Sequence, residues 1–111
     1  MQYLALIYGE ENRWANLSPE DREREMGEYM ALSQADVTTG GHELDSIATA
    51  TTVRVRGDET LVTDGPFAET KEQLGGLMEI EAEDLDAAIA VATRIPVVFR
   101  AAVELRPVIE H

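Results

Sequence analysis

Apolar and polar positions along the chain follow two different periods, which predict an alternation of strands and helices. Residues 3–8 form a short, nearly continuous apolar run, which is typical of a central strand buried on both faces. Residues 49–56 and 60–63 are rich in β-branched side chains around a turn at residues 57–59, so they predict a hairpin. Two further strands are predicted at residues 77–81 and 102–106.

Two segments show the helical period. A first helix is predicted to begin at Ser18-Pro19, with a capping hydroxyl and a proline suited to the first turn, and to end at Gly40-Gly41. Its apolar stripe consists of Met26, Tyr29, Met30, Ser33 and Val37. A second helix is predicted from the acidic residues 83–86 to Pro96, with an apolar side formed by Leu85, Ala88, Ile89 and Ala92.

The resulting order, β-α-β-β-β-α-β, predicts an α+β fold in a single domain spanning residues 1–111. We interpret it as a ferredoxin-like βαββαβ unit with an elaborated centre. The two helices would cover one face of the sheet. Because the other face also needs a cover, we expect a homodimer in which two sheets pack face to face.

Composition narrows the function classes. With 22 acidic and 9 basic residues the net charge is −13, and no basic run is present, so we expect no nucleic-acid binding. The chain has no cysteine, which excludes disulfides and thiolate metal sites. No apolar run reaches the ~18 residues of a membrane span, and the N-terminal segment lacks a basic n-region. We therefore expect a cytoplasmic protein without membrane attachment.

The stretch from residue 63 to 76, TDGPFAETKEQLGG, carries more turn formers and charges than a plain connection needs. Asp64 is either a turn residue or a carboxylate held at a pocket mouth as a general base. Lys71 could hold an anionic substrate group while Glu69 or Asp64 moves a proton. Phe67 is either a core residue or a stacking platform. The alternative is a solvated loop with exposed ion pairs.

Other candidates lie outside the first part of that stretch. Gly75-Gly76 is consistent with close backbone approach to a ligand or to a partner subunit. Arg54 and Arg56 share one strand face and could bind a carboxylate. His42 could act as an acid or base together with a neighbouring carboxylate, or be an ordinary loop histidine. The sequence predicts no metal site and no cofactor, since it contains neither phosphate-binding nor dinucleotide-binding glycine motifs.

Together, these features resemble the YCII-related family, a bacterial family, in its DGPF branch. The resemblance rests on residues 3–9, 17–20, 50–54, 63–76 and 103–107. It implies a dimeric α/β barrel built from two ferredoxin-like subunits. Some DGPF members lie beside or are fused to extracytoplasmic-function sigma factors, which implies a sigma-factor partner and a regulatory or accessory role.

Shorter relatives in this family resemble small enzymes with a His-Asp pair. The corresponding positions here read Ser18-Pro19-Glu20-Asp21-Arg22 and Ile95-Pro96, so neither member of that pair is present. Two hypotheses follow. The first is a small-molecule-binding or regulatory dimer whose inter-sheet cavity is lined by Arg54, Asp64, Phe67 and Lys71, with Glu69 nearby. The second is a cofactor-free lyase or isomerase that uses Asp64, Lys71 and His42.

Overall fold

The computed structural model describes residues 1–68, 70–96 and 102–111. These ranges contain the following elements in chain order: β1 (Gln2–Gly9), α1 (Pro19–Ser33), β2 (Thr38–Glu43), β3 (Thr51–Arg56), β4 (Glu59–Asp64), β5 (Gln73–Glu81), α2 (Leu85–Ala92) and β6 (Ala102–Pro107). Short 3₁₀ helices lie at Trp14–Asn16 and Ile47–Thr49.

Four strands form an antiparallel sheet in the order β2-β5-β1-β6. With the two helices this is the arrangement expected of a ferredoxin-like βαββαβ unit. Within the described ranges, strands β3 and β4 pair only with each other and form a separate hairpin between β2 and β5 in the chain. This hairpin is the elaboration of the centre, so the predicted α+β fold is confirmed at this level.

Strand β2 was missing from the predicted order. Gly40-Gly41 was predicted to end the first helix, but α1 ends at Ser33 and both glycines lie inside β2. Glycine suits this edge because β2 approaches β5 closely: a Cβ on Gly41 would lie 3.1 Å from the carbonyl oxygen of Leu77. A register shift between Thr38 and Gly40 also interrupts the pairing.

The remaining boundaries differ by a few residues. Strand β3 begins at Thr51 rather than at residue 49, and α2 ends at Ala92 rather than at Pro96. Strand β5 begins at Gln73, four residues before the predicted start, because Gly76 pairs with Ile7 of β1 and Glu43 of β2, and Leu74 and Gln73 continue the ladder with β1. The last four residues of the 63–76 stretch are therefore strand.

The core lies on one side of the sheet. The alternate β1 residues Tyr3 and Ala5 are fully or almost fully buried against the helices, with Met78 and Ile80 of β5 beside them. Leu4 and Leu6 are only half-buried on the opposite face, so the prediction of a strand buried on both faces is wrong within this chain. Neither α1 nor α2, the two helices of the described ranges, packs on that second face, since the buried cluster joins both of them to the first face.

Helix α1 also turns a different side to the core than its apolar stripe predicted. Glu25 and Leu32 are its buried residues, and Tyr29 packs beside them. Met26 and Met30, which the stripe predicted to face the core, are 55% and 56% exposed. The apolar surface that they leave uncovered faces the groove described next.

Candidate functional site

A groove of about 1160 Å³ lies between α1, the loop after β1 and the strands β2 and β5. Its apolar lining includes Ile7, Tyr8, Trp14, Met26, Tyr29 and Met30. Ligand sites in proteins are typically clefts of roughly 300–1000 Å³ with apolar and aromatic walls and a few polar groups. The groove has that character and is somewhat larger and more open than a closed site.

An ion pair between Arg13 and Glu25 joins the loop after β1 to the inner side of α1. Glu25 is only 4% exposed, and Arg13 borders the groove. The Nε atom of Arg13 is buried and has no hydrogen-bond partner among the described residues. Because a buried guanidinium and carboxylate must be paired to be tolerated, the pair fixes the position of this loop over α1.

Trp14 is held at the groove by backbone contacts of its neighbours. The guanidinium of Arg22, in the first turns of α1, donates from Nε to the carbonyl oxygen of Trp14 at 3.1 Å and from Nη2 to that of Ala15 at 2.8 Å. These two bonds tie the 3₁₀ helix to α1. The indole, 38% exposed, is therefore presented on a fixed backbone.

Charges around the groove are strongly unequal. Its lining includes the carboxylates of Glu10, Glu11, Glu43 and Asp45, whereas among the described residues of the lining the permanent cation is Arg13, which is already paired with Glu25. The groove thus combines aromatic and methionine side chains with an excess of negative charge. This arrangement suits an apolar molecule that carries a positive group.

Lys71 lies at a second, smaller cavity of about 620 Å³, lined by Glu10, Glu11, Asn12 and Ser46 as well. Its ammonium is 3.7 Å from a carboxylate oxygen of Glu10, and its side chain is 87% exposed. A backbone amide of Ile47 donates to the carboxylate of Glu11, which joins the loop after β1 to the loop after β2. Lys71 is therefore next to carboxylates of the β1 loop.

Arg54, Phe67 and Asp64 lie on or beside the β3–β4 hairpin. The guanidinium of Arg54 stacks over the ring of Phe67 at 4.9 Å from its centroid. Phe67 is 74% exposed, so it is not a core residue. Asp64 pairs with Thr51 in the ladder, which places it on the hairpin face opposite to Arg54. It lines neither of the two cavities.

The turn after Asp64 is built by Gly65, as its residue type predicted. Gly65 has a φ of 99°, which side chains rarely adopt, and its amide donates to the carbonyl oxygen of Ala50 at 2.8 Å. The hydroxyl of Thr52 donates to the carbonyl oxygen of Gly65. Within the described part of the chain, the Asp64 carboxylate accepts no hydrogen bond, so it is not a capping group there.

His42 lies in β2 and not in a loop, and it borders the groove. Its ladder partner is Leu77, which places both on the sheet face opposite to the core. The carbonyl oxygen of His42 would lie 3.0 Å from a Cβ on Gly76, so this glycine allows close approach to the chain's own β2. Glu69, the remaining candidate, lies outside the described residues.

Four residues were expected to converge on one cavity, namely Arg54, Asp64, Phe67 and Lys71. Of these, the described structure brings together Arg54 and Phe67. The groove beside α1 was not predicted. The signal for the groove was present: Glu25 stands four residues before Tyr29 and seven before Leu32, so a carboxylate occupies the core stripe of α1. Among the described residues, no three His, Asp or Glu side chains gather as metal ligands would. No helix in the described ranges is both long and apolar enough to cross a membrane.

The fold and the groove define a small α+β protein whose ferredoxin-like sheet carries an open, aromatic-lined groove beside its first helix. The family model of the YCII-related domain matches residues 1–111. The chain belongs to the YCII-related family, as its resemblance predicted. It is also similar to an uncharacterized protein of Rhizobium meliloti (strain 1021), with 39% identity over 98 residues, covering 83% of this chain and 77% of that protein.

Proposed function

We propose that the protein binds a small organic molecule in the groove between α1 and the sheet, and that it acts as a regulatory or accessory protein. The observation that supports this proposal is the exposed aromatic and methionine lining of a groove of about 1160 Å³. Exposed apolar surface of this kind on a small acidic protein marks an interaction site. The acidic lining favours a ligand with an apolar or aromatic body and a cationic amine.

A thermal-shift screen with the full-length protein tests this proposal. Aromatic and aliphatic amines would be compared with carboxylates of the same size and shape. We expect some amines to raise the melting temperature in a dose-dependent manner and the matched carboxylates to have no effect. Stabilisation by carboxylates but not by amines would contradict the proposed ligand class.

Two single substitutions separate the groove from the hairpin site expected at residues 54–71. Trp14→Ala removes the indole from the groove, whereas Phe67→Ala removes an exposed ring at the hairpin. We expect Trp14→Ala to weaken binding at least tenfold and Phe67→Ala to leave it within twofold. The opposite result would place the ligand at the Arg54–Phe67 site instead.

The proposal includes a homodimer in which two sheets pack face to face into a dimeric α/β barrel. It is supported by the face opposite to the core, where the ladder places Leu4, Leu6 and Leu77 with Tyr8. These side chains are only partly buried in the single chain. A second sheet would cover them and enclose an inter-sheet space, with the residues of the hairpin loop near its mouth.

The regulatory role includes a link to an extracytoplasmic-function sigma factor, which rests on the resemblance to the DGPF branch. The cytoplasmic location expected from composition is part of the same proposal. The sigma-factor link is tested by capture of a co-encoded sigma factor with the purified protein, with and without the amine ligand. If neither form of the protein retains such a sigma factor, this part of the proposal is wrong.

A second candidate is a cofactor-free lyase or isomerase step in which Asp64 and Lys71 move a proton, assisted by His42. The observation that favours it is the polar cavity beside Lys71, where Glu10 and Glu11 supply further acid–base groups. Because Asp64 lies on the hairpin and lines neither cavity, it would reach a substrate at Lys71 only after the hairpin or a second subunit brought it there.

Ligand fate distinguishes the two candidates. Each stabilising compound would be incubated with the protein and followed by NMR. The enzyme hypothesis expects conversion that Asp64→Asn and Lys71→Met each reduce at least a hundredfold, without loss of the folded state. If every ligand is recovered unchanged after prolonged incubation, the enzyme hypothesis is wrong and the binding hypothesis stands.

A further inference from the structure

The β3–β4 hairpin, defined here as the arm (residues 51–64), leaves apolar side chains uncovered. Val53, Val55 and Val62 are 60%, 68% and 64% exposed. The ladder pairs Val53 with Val62 and Val55 with Thr60, so the three valines lie on one face of the arm, the valine face. An isolated two-stranded hairpin is marginally stable in water, so this face requires a partner surface.

The dimensions of the chain agree with an arm that extends from the body. The radius of gyration is 16.0 Å, whereas a compact domain of this length has a value of about 13 Å. Six residues per arm strand span about 20 Å at the usual rise of a strand. An arm of that length can reach across a neighbouring molecule's sheet and helix layers, which lie ~10 Å apart.

The groove offers a surface that matches the arm. Met26, Met30 and Leu44 line it and are 55%, 56% and 43% exposed, which gives the valines an apolar floor. Methionine adapts well to such contacts. The groove, as the described residues line it, is also more open than a site that buries most of a ligand.

Charge agrees with the same placement. The two cations of the arm, Arg54 and Arg56, lie together on the face opposite to the valines. With the valine face on the floor, their long side chains can reach outward to the groove carboxylates, such as Glu43 and Asp45. Of the arm's three acidic residues, Asp58 and Glu59 are at its turn, so the tip has to extend past the groove, and Asp64 is at the opposite end of the valine face.

We propose that the arm docks over the groove of a second copy of this chain, with its valine face on Met26 and Met30. Two copies would exchange arms in this way, and each groove would be roofed by its partner. The inference goes beyond the proposed function. It uses the same groove but needs no ligand, so arm docking and ligand binding can each fail without the other.

Disulfide trapping tests the proposal, because the chain contains no cysteine. Val55→Cys carrying a size tag is mixed with untagged Met30→Cys, without ligand, under mild oxidation. We expect the mixed disulfide to form at least tenfold faster than that of Val55→Cys with Ile89→Cys. Ile89 is the matched control because it is 46% exposed on α2, away from the groove.

Two further pairs distinguish other placements of the arm. Asp58→Cys with Met30→Cys should crosslink slowly, since the tip extends past the groove. The double variant Val55→Cys/Met30→Cys tests whether the arm docks over the groove of its own chain. A crosslink confined to single chains of that variant, or preferential trapping of Val55→Cys by Leu6→Cys on the open sheet face, would overturn the proposal. Equal rates for Met30→Cys and Ile89→Cys would do the same.

Discussion

The most consequential single contact is the pair formed by Arg13 and Glu25. Replacing Glu25 by Gln keeps the shape of the side chain but leaves the Arg13 guanidinium largely buried without its counter-charge. We expect Glu25→Gln to lower the free energy of unfolding by ~2–3 kcal/mol, because an uncompensated charge in a protein interior is strongly unfavourable. Urea denaturation followed by circular dichroism measures this change.

Glu28→Gln is the control for that experiment. Glu28 is on the same helix and its replacement removes the same charge, but its side chain is exposed. A surface charge change of this kind is expected to alter stability by no more than about 0.5 kcal/mol. If the two variants are equally stable, the buried pair does not hold the loop of the groove in place.

Gly76 allows a close approach of two strands rather than of a ligand. A methyl group at this position would lie 3.0 Å from the His42 carbonyl oxygen, which is backbone and cannot move aside easily. We expect Gly76→Ala to lower the free energy of unfolding by ~1 kcal/mol through overpacking. Thermal unfolding of the two alanine variants of the Gly pair checks this prediction.

Its neighbour Gly75 provides the comparison. A Cβ there would meet nothing closer than the Ile7 carbonyl oxygen at 4.0 Å. Gly75→Ala is expected to be neutral or slightly stabilising, since alanine restricts the unfolded chain. If Gly75→Ala proves less stable than Gly76→Ala, the steric interpretation of Gly76 is wrong.

At the residue scale, local chemistry was predictable and long-range partners were not. The cap at Ser18 is confirmed by its hydroxyl, which accepts from the Asp21 amide at 3.1 Å. The turn role of Gly65 is confirmed by its positive φ. The contact between Arg13 and Glu25 joins a loop residue to a helix residue, and the local sequence around either one does not predict its partner.

At the element scale, α1 and the arm each contain a glycine, and replacing the two by alanine should change stability in opposite directions. Gly27 is in the interior of α1, where an added Cβ would have no neighbour within 4 Å, whereas Gly57 has a φ of 60° in the arm turn. We expect Gly27→Ala to raise the free energy of unfolding by ~0.5–1 kcal/mol, because alanine is the better helix former. Chemical denaturation of the variant and the parent protein under identical conditions measures this change.

Gly57→Ala is expected to act in the other direction. Gly57 is the first central residue of a two-residue turn, where a positive φ is typical of the type II′ hairpin. A side chain in that conformation costs ~1–2 kcal/mol. Because the arm packs little on its own chain, the loss should appear mainly in the arm's amide exchange, and a uniform loss across the sheet would contradict a separate arm.

The elements that were predicted correctly are those with local signals. The hairpin followed from β-branched residues on both sides of Gly57-Asp58, and α2 from an acidic first turn before an apolar run. Strand β2 could not be found in this way, because its residues Thr38–Glu43 include two glycines and no aliphatic side chain. It is a strand because β5 supplies its hydrogen-bond partners.

At the scale of the whole molecule, a substitution on the uncovered sheet face tests the expected dimer. Leu6 is at the centre of that face, between Leu77 of β5 and Glu104 of β6. We expect Leu6→Glu to shift the protein toward monomer by at least tenfold in the dissociation constant, since a desolvated carboxylate would face its symmetry mate. Sedimentation equilibrium measures the shift, with Leu85→Glu on the exposed side of α2 as control.

Salt dependence separates the two contacts that a dimer of this chain would contain. Each chain has a net charge of −13, so two chains together carry −26, and pairing of the sheets must overcome this repulsion. Sodium chloride at ~0.5 M shortens the Debye length to a few ångströms, so we expect tighter sheet-mediated association. Arm docking joins the same two acidic chains but also brings Arg54 and Arg56 toward carboxylates, so the same salt should increase the trapping rate of Val55→Cys by Met30→Cys by a smaller factor than the association constant. A larger factor for the trapping rate than for the association constant would show that one of the two contacts has been assigned to the wrong surface.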